Sequence, residues 1–175
     1  MKAPTIRLCL DADVPAITDI YAHHVETGTA SFETEPPDEA EMRRRKDMLV
    51  KNRYPYLVAE VGGKVCGYAY AGPYRTRPAY RHSVEDSVYV GTAAQRRGVG
   101  RALLHSLIRA CTDRGFRQMV AIIGDSSQTA SIGLHRAMGF EMVGTLRNVG
   151  YKHERWLDTV FMQLTLGEGA STPPE

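Results

Sequence analysis

Seven consecutive residues, Gln95-Arg96-Arg97-Gly98-Val99-Gly100-Arg101, carry three arginines and two glycines with no acid among them. Glycine lets the backbone turn tightly and aim N–H groups at one point, and a helix starting at such a turn adds the positive end of its dipole. With Arg96, Arg97 and Arg101 beside it, the segment reads as an anion site suited to a phosphate-bearing ligand. A GxxxxGK[ST] loop is excluded, because no Lys-Ser or Lys-Thr pair occurs. A GxGxxG fingerprint fails at its third glycine, where Gly98-Val99-Gly100-Arg101-Ala102-Leu103 has a leucine. A pyrophosphate matching neither motif points to coenzyme A. The alternative is a plain strand-to-helix turn with its arginines in solvent.

Immediately upstream, Ser83 to Val90 alternates as a strand does. Val84, Asp86, Val88 and Val90 take one face; Glu85, Ser87 and Tyr89 take the other. Glu85 thus lies ~7 Å from Ser87 on a shared face. A carboxylate there can take the proton from an amine attacking a thioester; otherwise it is a salt-bridged surface residue. The preceding loop, Tyr74-Arg75-Thr76-Arg77-Pro78-Ala79-Tyr80-Arg81, holds three arginines and two tyrosines. Guanidinium forks match carboxylates and phosphinates bidentately, although exposed basic loops are common.

These residues need a frame. Residues 5–10 form a short apolar strand, followed by a helix with Asp11 or Asp13 as cap and Pro15 in its first turn. Residues 27–37 are a loop. Asp38 and Glu41 have capping-box spacing and open a second helix. Its Arg43-Arg44-Arg45-Lys46 run, flanked by Glu39, Glu41 and Asp47, reads as a solvated face rather than a nucleic-acid surface. Residues 56–61 and 64–71 flank Gly62-Gly63, a hairpin signal. Strands at 83–90, 120–123, 140–146 and 159–166 follow, with helices at 100–114 and 127–138 that stop at Gly115 and Gly139. The order β-α-α-β-β-β-α-β-α-β-β is an α+β, or mixed α/β, layout around one sheet. Residues 1–166 form one domain, and 167–175, rich in Gly, Ser, Thr and Pro, a disordered tail.

The chain has 175 residues, 43% of them hydrophobic, with 22 Lys and Arg against 20 Asp and Glu. That is a globular composition, and its net charge of +2 is far from the strongly basic balance of a duplex binder. No nucleic-acid partner is expected. No apolar run approaches the ~20 residues of a membrane helix, and none near Met1 suits a secretory signal, so no membrane partner is expected either. Cys9, Cys66 and Cys111 are odd in number and lack CxxC spacing, which fits a reducing cytoplasm. The six histidines show no metal-ligand spacing, so no metal is expected.

Gln95 to Gly100 resembles the Q/R-x-x-G-x-G/A motif of the GNAT N-acetyltransferases. Tyr54-Pro55-Tyr56-Leu57-Val58-Ala59-Glu60, Ala69-Tyr70-Ala71-Gly72-Pro73, Val84 to Val90 and Gly150-Tyr151-Lys152-His153 narrow the resemblance. They are similar to the phosphinothricin acetyltransferases, which act on phosphinothricin, methionine sulfoximine and methionine sulfone and are associated with herbicide resistance. The likeness runs from about Ile6 to about Leu166. It implies the GNAT fold, with acetyl-CoA in a splay between two parallel strands. Val88, Tyr89 and Val90 would offer backbone groups to the pantetheine arm and acetyl carbonyl, and Arg96, Arg97, Gly98, Val99, Gly100 and Arg101 would hold the pyrophosphate. Gln128 stands where the family often has a coenzyme-contacting Asn, and keeps the amide on a longer arm. Glu85 would be the general base. His135 stands where many GNAT enzymes use Tyr to protonate the departing thiolate, and is read either as that acid or as a packing histidine at a helix end.

On the substrate side, the resemblance implies contacts from Arg75, Thr76, Arg77, Glu85, Asp86, Ser87 and Phe32, the last reaching a partner subunit's site in a homodimer. Alternation turns Asp86 away from that face, toward a structural role. Glu154-Arg155 replace the small residues expected there. The leading expectation is an N-acetyltransferase for a small amino acid. The alternatives are another amine, such as an aminoglycoside or protein N-terminus, and a non-catalytic coenzyme-A-binding sensor.

Overall fold

Gly62 and Gly63 both adopt left-handed φ, 60° and 80°, which lets two residues reverse the chain between Tyr56–Val61 (β2) and Lys64–Pro73 (β3). The computed structural model, which describes residues 3–174, grows a seven-stranded sheet around this hairpin. Its strands are Thr5–Leu8 (β1), β2, β3, Ser83–Val90 (β4), Gln118–Gly124 (β5), Glu141–Lys152 (β6) and Arg155–Thr165 (β7), in the spatial order β1-β2-β3-β4-β5-β7-β6. All neighbours are antiparallel except β4 and β5. The helices are Val14–Thr27 (α1), Glu39–Lys51 (α2), Val99–Thr112 (α3) and Thr129–Ala137 (α4). Asp38 caps α2 by accepting from the Glu41 N–H at 2.8 Å. The order of elements is the expected one.

Each sheet face carries its own core. Leu103, Leu104, Leu107 and Cys111 of α3 recur at helical spacing and bury against Ala69, Ala71, Val84, Met119 and Ala121. On the other face, Val14, Ile17 and Val25 of α1 and Met42 and Leu49 of α2 bury against Tyr56, Val58, Tyr68 and Tyr89. Strand alternation therefore delivers Val84 to α3 and Tyr89 to α1 and α2.

Two expectations change. The last two strands are longer than residues 140–146 and 159–166. They form a hairpin closed by His153 and Glu154 at φ 51° and 60°, a two-residue turn made without glycine. Strand β6 is an edge strand exposed along most of its length, with a register shift between Leu146 and Gly150, so burial imposes no alternation on its sequence. The tail, expected to be disordered, turns back onto the sheet over residues 167–174. The Arg117 guanidinium donates to Glu168, the Gly169 carbonyl, Thr172 and the Pro173 carbonyl.

Candidate active site

The parallel pairing of β4 with β5 begins at Ser83↔Gln118 and ends at Asp86↔Ala121. Their outer neighbours stay in register further, to Gly67↔Val90 and to Gly124↔Thr159. Residues 87–90 and 122–124 consequently face each other across a fork. Antiparallel ladders use alternate residues for main-chain bonding, and the Gly91 N–H donates to the Cys66 carbonyl at 2.9 Å. Odd-numbered residues of β4 therefore spend their main-chain groups on β3, and Val88 and Val90 turn theirs into the fork. The Tyr89 main chain, expected to serve the coenzyme, belongs to the β3 ladder. Buried peptide groups require partners, so this slot suits an extended ligand with amide groups of its own. Gln128, Ser131 and His135 of the α4 region also line the fork. The His24 ring bonds the Val90 carbonyl at 3.0 Å.

Beyond β4 the chain reaches the arginine-glycine turn. Arg96 and Gly98 take left-handed φ of 58° and 78°, and Gly98 caps α3 without a side-chain bond. The first intrahelical bond runs from the Ala102 N–H to the Gly98 carbonyl, which leaves the preceding N–H groups of Val99, Gly100 and Arg101 open at the helix's positive end. Arg96, Arg97 and Arg101 are all exposed around it. At Gly100 an added Cβ would lie 3.3 Å from Leu134 and 3.6 Å from Val90, so a residue without a side chain lets α3 start against the fork.

On the α1/α2 face, Glu85 and Ser87 line a cavity of about 260 Å³ together with Tyr21, Arg45, Met48, Leu49, Tyr56, Tyr68 and Tyr70. Gly72 is Glu85's cross-strand partner, so no side chain opposes the carboxylate there. Burial pushes the Glu85 carboxyl up to about 7, with Arg75 opposing and Asp86 adding to the rise. A carboxyl poised near neutrality at a cavity wall is what proton abstraction from an amine needs. Arg75, Thr76 and Arg77 lie in an exposed loop outside the cavity lining. Arg75 stacks 4.3 Å over the Tyr74 ring, donates to the Tyr74 carbonyl at 2.7 Å, and acts on Glu85 through its charge.

Asp86 does not join the acceptor group. It is buried on the opposite face, at the last paired rung of the fork, and its Oδ2 lies 2.9 Å from His135 Nε2. The other ring nitrogen, Nδ1, lies 2.8 Å from the Ser131 carbonyl. Donation from both nitrogens needs the imidazolium charge, whereas the Ser131 hydroxyl, 3.5 Å from Nδ1, can instead donate to a neutral ring. Burial opposes that charge, but the Asp86 bond and charge and the Ser131 carbonyl outweigh it, and the His135 pKa is raised. His135 is thus committed at both nitrogens.

The acetyltransferase (GNAT) domain family matches residues 6–161. The chain belongs to the GNAT acetyltransferase family. It is 55% identical over 173 residues to a phosphinothricin N-acetyltransferase of Alcaligenes faecalis, covering 99% of this chain and 88% of that one. It is 42% identical over 163 residues to an L-methionine sulfoximine/L-methionine sulfone acetyltransferase of Pseudomonas aeruginosa, covering 93% and 94%. The crystal structure of a phosphinothricin acetyltransferase from Sinorhizobium meliloti in complex with AcCoA superposes with a TM-score of 0.97 at 48% identity, covering 99% and 94%.

In this GNAT chain the loop 28–37 gathers residues that sequence reasoning missed, among them Thr29, Ser31 and Glu33, around the expected Phe32 and Gln128. Phe32 is clamped in its own chain between two glycines: an added Cβ would sit 2.8 Å from its ring at Gly124 and 2.3 Å at Gly150. Thr29 accepts from Gln128 Nε2 at 2.9 Å, which occupies the amide expected to serve the coenzyme. Buried Lys152 donates to the Ser31 carbonyl at 2.8 Å, and burial pulls its pKa down. Glu33 accepts from Tyr21 at 2.9 Å and from Arg45 at 2.6 Å. Arg45, in the run read as a solvated face, is half-buried and lines the acceptor cavity; Lys46 is buried and pairs with Asp11 and Asp47. The loop therefore ties the fork, where Ala30 lies, to the acceptor cavity.

Proposed function

We propose that this protein transfers an acetyl group from acetyl-CoA to the α-amino group of a small amino acid such as phosphinothricin, methionine sulfoximine or methionine sulfone. The observation that carries this reading is Glu85, raised to about 7, in the wall of a cavity beside the β4/β5 fork. The names of the relatives supply the substrate class. Bound acetyl-CoA supplies the thioester. The open edge of β4 at Val88 and Val90 suits the pantetheine arm, and the turn at Arg96, Arg97, Gly98, Val99, Gly100 and Arg101 suits the pyrophosphate.

Glu85 accepts the proton of the substrate ammonium, directly or through one water. The freed amine forms its N–C bond in the ternary complex as the C–S bond breaks, and the second nitrogen proton leaves to solvent as the amide forms. An amide of β4 aimed into the fork stabilises negative charge developing on the carbonyl oxygen. His135, fixed by Asp86 and Ser131, lines the fork beside the thioester site, and the departing sulfur takes its proton from water. Arg75 and Arg77 hold the substrate carboxylate at the mouth.

Thiol release in the presence of acetyl-CoA and each of the three amino acids is the test; no turnover on any of them overturns the substrate assignment. The resemblance also supports a homodimer, for which Leu146, Val149, Tyr151 and Trp156, all exposed along β6 and β7, provide an apolar strip. Sedimentation of a monomer at micromolar concentration overturns it. A cytoplasmic location fits three free cysteines, and among the described residues no helix is long and apolar enough to cross a membrane.

A further inference from the structure

The inner wall of the acceptor cavity is built of tyrosines, and the Tyr68 hydroxyl is the one buried there without a partner among the described residues. Tyr21 bonds Ser31 at 2.8 Å and Glu33 at 2.9 Å. Tyr68 is 0% exposed, lines the cavity, and its hydroxyl has no hydrogen-bond partner among the described residues. A buried hydroxyl left unpaired costs about 1–3 kcal/mol, and native structures leave few of them. The ring cannot swing away to find a partner. It stacks on Tyr56, Tyr70 and Tyr89 with centroids 6.0, 6.2 and 5.2 Å away. Met42, Met48 and Leu49 line the same cavity from α2.

The distance from Glu85 decides what can reach the Tyr68 hydroxyl. Glu85 pairs with Gly72, and Tyr89 pairs with Tyr68. The Cα positions of Glu85 and Tyr68 are therefore four strand positions apart, ~13 Å along the sheet. From the amine nitrogen to an oxygen on the atom after Cγ, an extended amino acid spans roughly 6 Å. One hydrogen bond at each end, ~2.8 Å apiece, brings the reach to roughly 12 Å. An amino acid with two methylenes and then an oxygen-bearing atom has the length to run along this face from Glu85 toward Tyr68; one ending in a bare thioether or alkyl group brings no acceptor for the hydroxyl.

We propose that the Tyr68 hydroxyl is a specificity-determining group of the acceptor site. It donates a hydrogen bond to a distal sulfonyl, sulfoximine or phosphinyl oxygen and so selects against side chains of equal length that lack one. This rests on the amino-acid N-acetyltransferase reading above. Removing a bonded substrate group from a site that holds a buried polar partner costs more than removing a methylene from an apolar one.

The variant Tyr68→Phe removes one oxygen and keeps the ring stack. L-Methionine sulfone and L-methionine serve as probes, with Kd measured by calorimetry and kcat/KM measured for each acceptor that turns over. The preference for the sulfone over methionine is expected to fall about tenfold or more in the variant. The melting temperature of the free variant is expected to stay level or rise, because the hydroxyl makes no bond within the protein. An unchanged preference overturns the assignment, as does a drop in melting temperature with equal losses on both probes. If the wild-type protein neither binds nor acetylates either amino acid, the functional reading and the Tyr68 assignment fall together. If it uses both and Tyr68→Phe leaves their ratio intact, only the Tyr68 assignment falls.

Discussion

Replacing Glu85 with glutamine keeps the side chain's shape and removes its charge, and the structure predicts opposite effects on activity and stability. The carboxyl is raised from 4.5 to about 7 by burial, so the folded protein holds this proton more tightly than the unfolded chain does. Its stabilising contribution is fully present below about pH 4.5 and is lost as pH rises toward 7. At ~1.4 kcal/mol per pH unit the loss is about 3 kcal/mol at most, or roughly 2 kcal/mol once solvent access to a half-buried group is allowed for. Glu85→Gln escapes that loss. At pH 8 it should melt about 4–8 °C above the wild type; at pH 5 the two should nearly coincide. Activity moves the other way: loss of a general base lowers kcat/KM by about 10²- to 10⁴-fold. The wild-type kcat/KM should fall below pH 7, and that limb should vanish in the variant. Differential scanning calorimetry at two pH values and thiol release across pH 5.5–9 (chosen to bracket the carboxyl) make the check. A variant within about fivefold of wild-type kcat/KM, or one with no melting advantage at pH 8, refutes the assignment of Glu85 as a buried base.

Three further outcomes follow from the site. Asp86→Asn strips the countercharge from buried His135 and should lower the free energy of unfolding by about 3 kcal/mol, read from urea denaturation with the m-value unchanged. Gly150→Ala places a Cβ 2.3 Å from the Phe32 ring and should cost about 1–3 kcal/mol. Adding Phe32→Ala should recover much of that loss, and simple additivity in the double-mutant cycle would contradict the clamp. Arg96→Ala with Arg97→Ala should raise KM for acetyl-CoA by about three- to tenfold at low salt, with kcat held. A fall in kcat at unchanged KM would place these arginines elsewhere in the mechanism.

What was legible in the sequence was local. Gly62-Gly63 announces its hairpin because only two left-handed residues fit that turn. Glu85 is separated from Asp86 by the period of a strand alone, and Gly98 marks the start of α3. The rest depends on residues distant in sequence. Asp86 and His135 are 49 positions apart, and nothing in either segment says that the carboxylate will meet the ring. Phe32 is seated by Gly124 and Gly150, each ordinary in its own strand. Arg45 and Lys46 sit in a run that reads as solvated until Glu33 and Asp11 are brought to them by the loop and by the turn before α1. His153 and Glu154 make a tight turn with residue types that carry no turn signal, so the β6/β7 hairpin is longer than its sequence suggests.

Strand β4 makes one constraint serve two substrates. On its β3 side the antiparallel ladder takes the main-chain groups of odd-numbered residues, so the even-numbered Val88 and Val90 turn theirs toward the fork. Alternation sends the side chains of Glu85 and Ser87 to the acceptor cavity, and those of Val84 and Asp86 to the opposite face. Acceptor-facing side chains and coenzyme-facing amides thus come from neighbouring residues, one step of ~3.3 Å apart, with no flexible segment between them. On the proposed assignment, the spacing between base and thioester is set by strand geometry. A one-residue slip of β4 against β3 would therefore do more than displace the base. It would turn Glu85 into the core beneath α3, bring Val84 or Asp86 to the cavity, and give the fork the amides of the wrong residues. If Glu85 is the base proposed above, the register of the β3/β4 ladder, pinned at one end by the Gly91–Cys66 bond and crowded on one face by the tyrosine stack, is as much a part of the catalytic apparatus as the carboxylate itself.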